Sequence, residues 1–194
     1  VQTCALPILM KIQENWGVLV SQTGSEVIAI SQEIGFLPSL LITNNLAKIP
    51  ENNLRFFGEN GVIIRTIPFR PTLENYLFPE LLEKSLITLH GFLRILPPEF
   101  FQYFRGNLYN GHPGLITRYP ELKGKDPQVR AWEGKYDTVG SVVHKVTEGV
   151  DEGEVIKSTA VPNTAQTLDE MFWTLRNTSL QAWKNFFEDT WKFE

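Results

Sequence analysis

"WGVLVSQTGSEVIAISQEIG" (residues 16–35) decides the fold class. Its first six residues are a short apolar, β-branched run, which reads as a buried strand. "QTGS" supplies a turn, and "EVIAISQEIG" is amphipathic, with Gly35 placed to cap a helix C terminus. The same alternation repeats downstream. "PSLLITN" (38–44), "GVIIRTIP" (61–68), "SLITLHG" (85–91) and "GNLYNGHP" (106–113) read as four more strands. Between them, 72–84 fits a helix with Thr72 as N-cap and Pro79 positioned to kink or divide it. "PPEFFQYFR" (97–105) fits a helix with prolines at its start, where they are tolerated. Strands alternating with helices predict right-handed βαβ units.

After His112 the pattern changes. Residues 118–127 are a loop too polar for a core, and 126–135 read as a short helix. "TVGSVVHKVTEGVDEGEVIKSTAVP" (138–162) alternates through two runs joined by a Gly-rich acidic turn, which predicts an antiparallel hairpin. From Thr167 to about Lys192 a long amphipathic helix carries Met171, Leu175, Leu180, Trp183 and Phe187 broadly along one side, as core contact. The expected architecture is α/β: a Rossmann-like, mostly parallel sheet flanked by helices, closed by a hairpin and a long helix.

Bulk properties narrow the function classes. At 194 residues the chain suits one domain with a real core. A net charge of −4 argues against a nucleic-acid surface. No apolar run approaches the roughly 18 to 20 residues that cross a bilayer. "VQTCALPI" (1–8) matches the translation of a sequencing-library adapter, so 1–9 is expected to be a non-native leader, with Met10 as the start of a single domain over 10–194. The alternative, a signal-peptide fragment, lacks a basic n-region and a small-residue cleavage site. Without Cys4 no cysteine remains for disulfide, thiolate or cysteine–zinc chemistry, which fits a cytoplasmic setting.

Four segments could carry chemistry. In "VLVSQTGSEV" (18–27), Gly24 and Ser25 open a helix whose free N–H groups favour an anion, though Glu26 could simply serve the helix dipole. In "GFLRILPPEFF" (91–101), Arg94 lies in an apolar run and needs a partner, most simply a carboxylate. In the fifth strand, Asn110 and His112 are two apart and face one side, with Pro113 ending the ladder. Alone they also read as a polar turn with a surface histidine. In "HKVTEGVDEGEVI" (144–156), Asp151 is bracketed by Gly149 and Gly153 and on its own reads as a turn residue. Together, Asn110, His112 and Asp151 offer an amide donor, a group able to be imidazolium, and a carboxylate to hold it charged. No serine sits in a nucleophile elbow. His90, His112 and His144 match no metal spacing, so no metal is expected.

"GFLRILPPEF", "LYNGHPGLITRYPELKG" and "GSVVHKVTEGVDEGEVI" resemble, in order, motifs of the folate-dependent formyltransferases, closest to those acting on glycinamide ribonucleotide. "GVLVSQTGSEV" resembles that family's opening phosphate loop, and the match runs collinearly from about 16 to 162. The resemblance implies roles. Asn110 and His112 would stabilise a tetrahedral oxyanion, and Asp151 would hold His112 charged and assist proton movement. The co-substrate would be 10-formyltetrahydrofolate. Leu93, Arg94, Ile95 and Leu96 would line its pterin pocket largely through their backbone, with Leu89, Phe101 and Leu108 as apolar walls. The turn Gly149–Gly153, with Val150 and Asp151, would close over the folate. Gly24 and Ser25 would hold an acceptor phosphate, and His144 would stand behind the site.

The departures concern the acceptor. Gln22-Thr23-Gly24-Ser25-Glu26 stands where the family typically has Gly-Asn-Gly-Ser-Asn, so an acid replaces a neutral donor. "HPGLIT" (112–117) replaces "HPSLLP", "LKGKD" (122–126) replaces a histidine-containing loop, and Asn177-Thr178-Ser179 stands where a substrate-contacting glutamate is expected. Arg118, Lys123 and Lys125 offer a compensating positive patch, or are solvated loop charges. The expectation is an enzyme of small-molecule substrates, monomer or homodimer, without nucleic-acid or membrane partners. It moves a formyl group to a primary amine, glycinamide ribonucleotide first and an amino-sugar nucleotide second. Hydrolysis of the formyl donor and a non-catalytic nucleotide-binding module are the rivals.

Overall fold

A computed structural model describes residues 10–193; the expected leader lies outside them. The chain runs β1 (Lys11–Val20), α1 (Ser25–Ile34), β2 (Phe36–Thr43), α2 (Glu51–Glu59), β3 (Ile63–Thr66), α3 (Pro79–Leu82), β4 (Leu86–His90), α4 (Phe100–Tyr103), β5 (Asn107–His112), α5 (Pro127–Glu133), β6 (Thr138–Lys145), β7 (Val155–Pro162) and α6 (Leu168–Asp189). Seven strands form one sheet in the order β3-β2-β1-β4-β5-β6-β7. The first five pair in parallel; β6 runs antiparallel to both β5 and β7.

The strand order reverses at β1: the chain goes outward to β2 and β3, then returns to build β4 and β5 on the other side. In an open α/β sheet, ligands bind beyond the carboxyl ends of the strands at such a reversal. Here those ends are Val20, His90 and His112.

Two apolar layers cover the sheet. Trp16, Val18, Val20, Leu86 and Tyr109 pack with Trp183, Phe186 and Phe187 of α6 on one face. Leu19, Ile87, Leu89 and Leu108 pack with Tyr76, Leu96 and Phe100 on the other. Side chains in a strand alternate sides, which is why consecutive residues of β1 and β4 fall in different layers. Thr167 caps α6 by accepting a hydrogen bond from the Glu170 N–H, and Gly35 ends α1 with a left-handed φ of 78°.

Several expectations change in detail. The helix expected over 72–84 is two pieces, a 3-10 turn at Leu73–Tyr76 and the single turn α3, because Pro79 can begin a helix but not continue one. The helix over 97–105 shrinks to Phe100–Tyr103. β3 is shorter than expected, and β1 starts earlier, at Lys11, with an irregularity between Gln13 and Gly17. Leu180 is only half-buried. α2 is an element the sequence reading passed over.

Candidate active site

β5 carries Asn110 and His112 to the end of the sheet, facing the turn between β6 and β7. That turn holds Asp151 at φ 53°, in the left-handed region that a short polar residue tolerates. Asp151 Oδ2 lies 3.2 Å from His112 Nδ1 and accepts a hydrogen bond from the Gly124 N–H at 2.8 Å. Asp151 Oδ1 lies 3.3 Å from His144 Nε2, and Asn110 Nδ2 donates to it at 3.5 Å. The structure therefore brings Asn110 and His112 of β5 together with Asp151 of the β6–β7 turn. It also puts His144 inside the cluster, 3.2 Å from Asn110 Nδ2 and buried.

The electrostatics follow from burial and partners. Burial pushes the Asp151 carboxyl up, but the His144 hydrogen bond, His112 and the Gly124 N–H outweigh it and leave it below its ordinary value. His112 is buried and lowered by that burial, with Asp151 and the Leu122 carbonyl opposing. Its Nε2 lies 2.8 Å from the Leu122 carbonyl oxygen, which can only accept. Both ring nitrogens thus face oxygen acceptors. Arg130 holds the surrounding loop by donating to the carbonyls of Glu121, Leu122 and Lys123.

A second polar cluster lies on the α1/α6 side of the sheet. Glu26 Oε2 is 2.9 Å from His90 Nδ1, and Oε1 accepts the Ser179 hydroxyl at 2.6 Å. His90 Nε2 meets Thr88 Oγ1 at 2.8 Å, and the Trp16 indole donates to the same oxygen at 2.9 Å. Burial pushes Glu26 up, but the His90 hydrogen bond, the Ser179 hydroxyl and the Arg176 guanidinium leave it below its ordinary value. Glu26 and His90 line a cleft of about 480 Å³ with Gly24, Ser25, Gly111 and Arg176. Register explains how this cleft reaches the first cluster: Leu89 pairs with Asn110 and His90 with Gly111.

The remaining candidates distribute as follows. Leu89, Leu96 and Leu108 are buried in one apolar layer with Phe101 packed against it. Leu93 and Ile95 are 61% and 70% exposed, and Val150 is exposed beside Gly149 and Asp151. The Leu93 N–H donates to Ser21 Oγ, which fixes the backbone after β4. Among the described residues Arg94 has no carboxylate partner: it donates to the carbonyls of Phe69 and Leu93 and lies over the Phe69 ring. Gly24, at φ 70°, precedes α1, with Ser25 Oγ 2.8 Å from Thr23 Oγ1. Arg118, Lys123 and Lys125 are exposed and absent from the cleft wall. The cation on that wall is Arg176, which sequence reasoning missed. Its signal was its place three residues before Ser179, on the same helix face. Among the described residues no group of three or more His, Cys, Asp or Glu could hold a metal, and no helix is long and apolar enough to cross a membrane.

The chain is similar to the trifunctional purine biosynthetic protein adenosine-3 of Gallus gallus, with 30% identity over 82% of this chain and 17% of that protein. It is also similar to phosphoribosylglycinamide formyltransferase of Escherichia coli (strain K12), with 38% identity over 40% of this chain and 35% of that one. It thus spans only a small part of the trifunctional relative's length. Its fold is that of the phosphoribosylglycinamide formyltransferase structure from Streptococcus pneumoniae TIGR4, at TM-score 0.78 and 24% identity, covering 93% of this chain and all of that one. The family profile described as formyl transferase matches residues 77–181. That span is more than half the chain and contains Asn110, His112, His144 and Asp151: the chain belongs to the formyl transferase family.

Proposed function

We propose that the chain transfers a formyl group from 10-formyltetrahydrofolate to a primary amine, with glycinamide ribonucleotide as the leading acceptor. The observation that carries this reading is the convergence of Asn110, His112 and Asp151 at the end of β5, between an apolar layer and the cleft.

In this reading Leu89, Leu96, Leu108 and Phe101 wall one side of the pterin, and the backbone of Leu93, Arg94 and Ile95 supplies its donors and acceptors. The layer fits such a group, because a flat heteroaromatic ring needs apolar walls and a few fixed polar groups. Asn110 donates from its amide to the oxyanion that forms when the amine attacks the formyl carbon. Asp151, held ionised, accepts the proton the amine sheds. His112 joins as a second donor through Nε2 once the Leu122 carbonyl releases it. The proton then passes to the folate nitrogen as its bond to the formyl carbon breaks. Buried His144 fixes the Asp151 carboxylate from behind.

The test is formyl transfer from the folate donor to a panel of phosphorylated primary amines, glycinamide ribonucleotide and an amino-sugar nucleotide included. Formylated product supports the reading. Consumption of the donor without any formylated amine favours hydrolysis, and no consumption favours the non-catalytic module.

A further inference from the structure

The cleft beside β4 contains a fixed negative charge that the formyl-transfer chemistry does not use. Glu26 sits in the first turn of α1, where free backbone N–H groups would otherwise favour an anion. Its carboxylate neither turns outward to solvent nor caps its own helix. It is drawn across to His90 and Ser179, which bind one oxygen each. The side chain stays 26% exposed, toward the cleft.

A hydrogen-bond chain behind Glu26 holds its carboxylate in place. The Trp16 indole can only donate, so Thr88 Oγ1 accepts from it. The same Thr88 oxygen lies 2.8 Å from His90 Nε2. His90 Nδ1–H donates in turn to Glu26 Oε2, and the Ser179 hydroxyl to Oε1. The Trp183 ring, 4.6 Å from the His90 ring, keeps water from the buried end. Arg176 is the cation on the cleft wall; it is exposed and forms no ion pair within 4 Å among the described residues.

We propose that Glu26 sets acceptor specificity: the cleft takes the acceptor's uncharged hydroxyl groups on the Glu26 carboxylate and excludes a phosphate from the N terminus of α1. A phosphate on the acceptor is directed toward Arg176 instead. Like charges juxtaposed in a binding site discriminate strongly, whereas hydroxyl donors find a carboxylate already fixed in place. This rests on the formyl-transfer reading for the identity of the acceptor.

The experiment compares kcat/KM for glycinamide ribonucleotide with that for its dephosphorylated ribonucleoside, alongside inorganic phosphate titrated against the amide NMR signals of Gly24 and Ser25. In the unmodified protein phosphate leaves those signals unmoved. Glu26→Gln makes them shift and raises the nucleotide-to-nucleoside ratio about tenfold or more. Arg176→Gln, on the exposed wall, lowers kcat/KM for the nucleotide and spares the nucleoside. An unchanged ratio in Glu26→Gln, or equal losses on both acceptors in Arg176→Gln, overturns the proposal. Phosphate shifts at Gly24 in the unmodified protein overturn it as well. The titration needs no turnover, so its result stands apart from failure to formylate any amine.

Discussion

The Nε2 atom of His112 lies 2.8 Å from the carbonyl oxygen of Leu122, so the imidazole proton nearest the loop is already committed to backbone. The same loop gives its Gly124 N–H to Asp151. Arg130 is the clamp on this arrangement, through the carbonyls of Glu121, Leu122 and Lys123. Arg130→Ala is expected to raise hydrogen exchange at Leu122 and Gly124 while β5 keeps its protection. Unchanged exchange in the loop would show that the carbonyl contacts hold without the guanidinium.

Acid should unfold the protein through three groups acting in one direction. Glu26 and Asp151 lie below their ordinary values of 4.5 and 3.8 in the folded state, so their stabilisation is present above those values. It is lost as pH falls through the lower folded values. His112 is also lowered, from 6.5, so the unfolded chain takes up its proton first on acidification and stability already declines below that pH. Melting temperature should fall continuously from pH 7 to pH 4. Asp151→Asn should flatten the drop below pH 4, and a melting temperature that rises on acidification would contradict these signs.

Gly111 is held to glycine by packing. A Cβ there would lie 2.5 Å from Trp183 Nε1 and 3.1 Å from Cε2. Trp183 is fully buried and cannot retreat without disturbing Phe186 and Phe187. Gly111→Ala should cost about 1–3 kcal/mol, the usual range for overpacking. Denaturant unfolding measures it; a loss under 0.5 kcal/mol would mean that α6 shifts freely.

What the sequence made legible follows from which patterns are local. The strands ending at Val20, His90 and His112 declare themselves by apolar runs with turn residues behind them, and α6 by its stripe. α2 was missed because it is short and mostly polar: its apolar face is Leu54, Phe56 and the buried Phe57, too few positions to stand out in the sequence. Asn110 and His112 were legible as a same-side pair. The bond from His112 to Leu122 was not, since any residue can supply a backbone carbonyl. Nor was the partnership of Glu26 with His90 and Ser179, 64 and 153 positions away. Arg94 misled for the same reason: its partner is the Phe69 carbonyl rather than a carboxylate.

The most direct measurement is turnover in Asn110→Ala, His112→Ala and Asp151→Ala, followed as formyl transfer from the folate donor with folate binding measured in parallel. Loss of a preorganised oxyanion donor or its supporting charge should lower turnover by roughly 10²-fold or more in each. Asn110→Ala should still bind the folate, because the pocket proposed for it lies with Leu89, Leu96 and Leu108. Near-normal turnover in all three variants would contradict the assignment of this cluster as the catalytic centre.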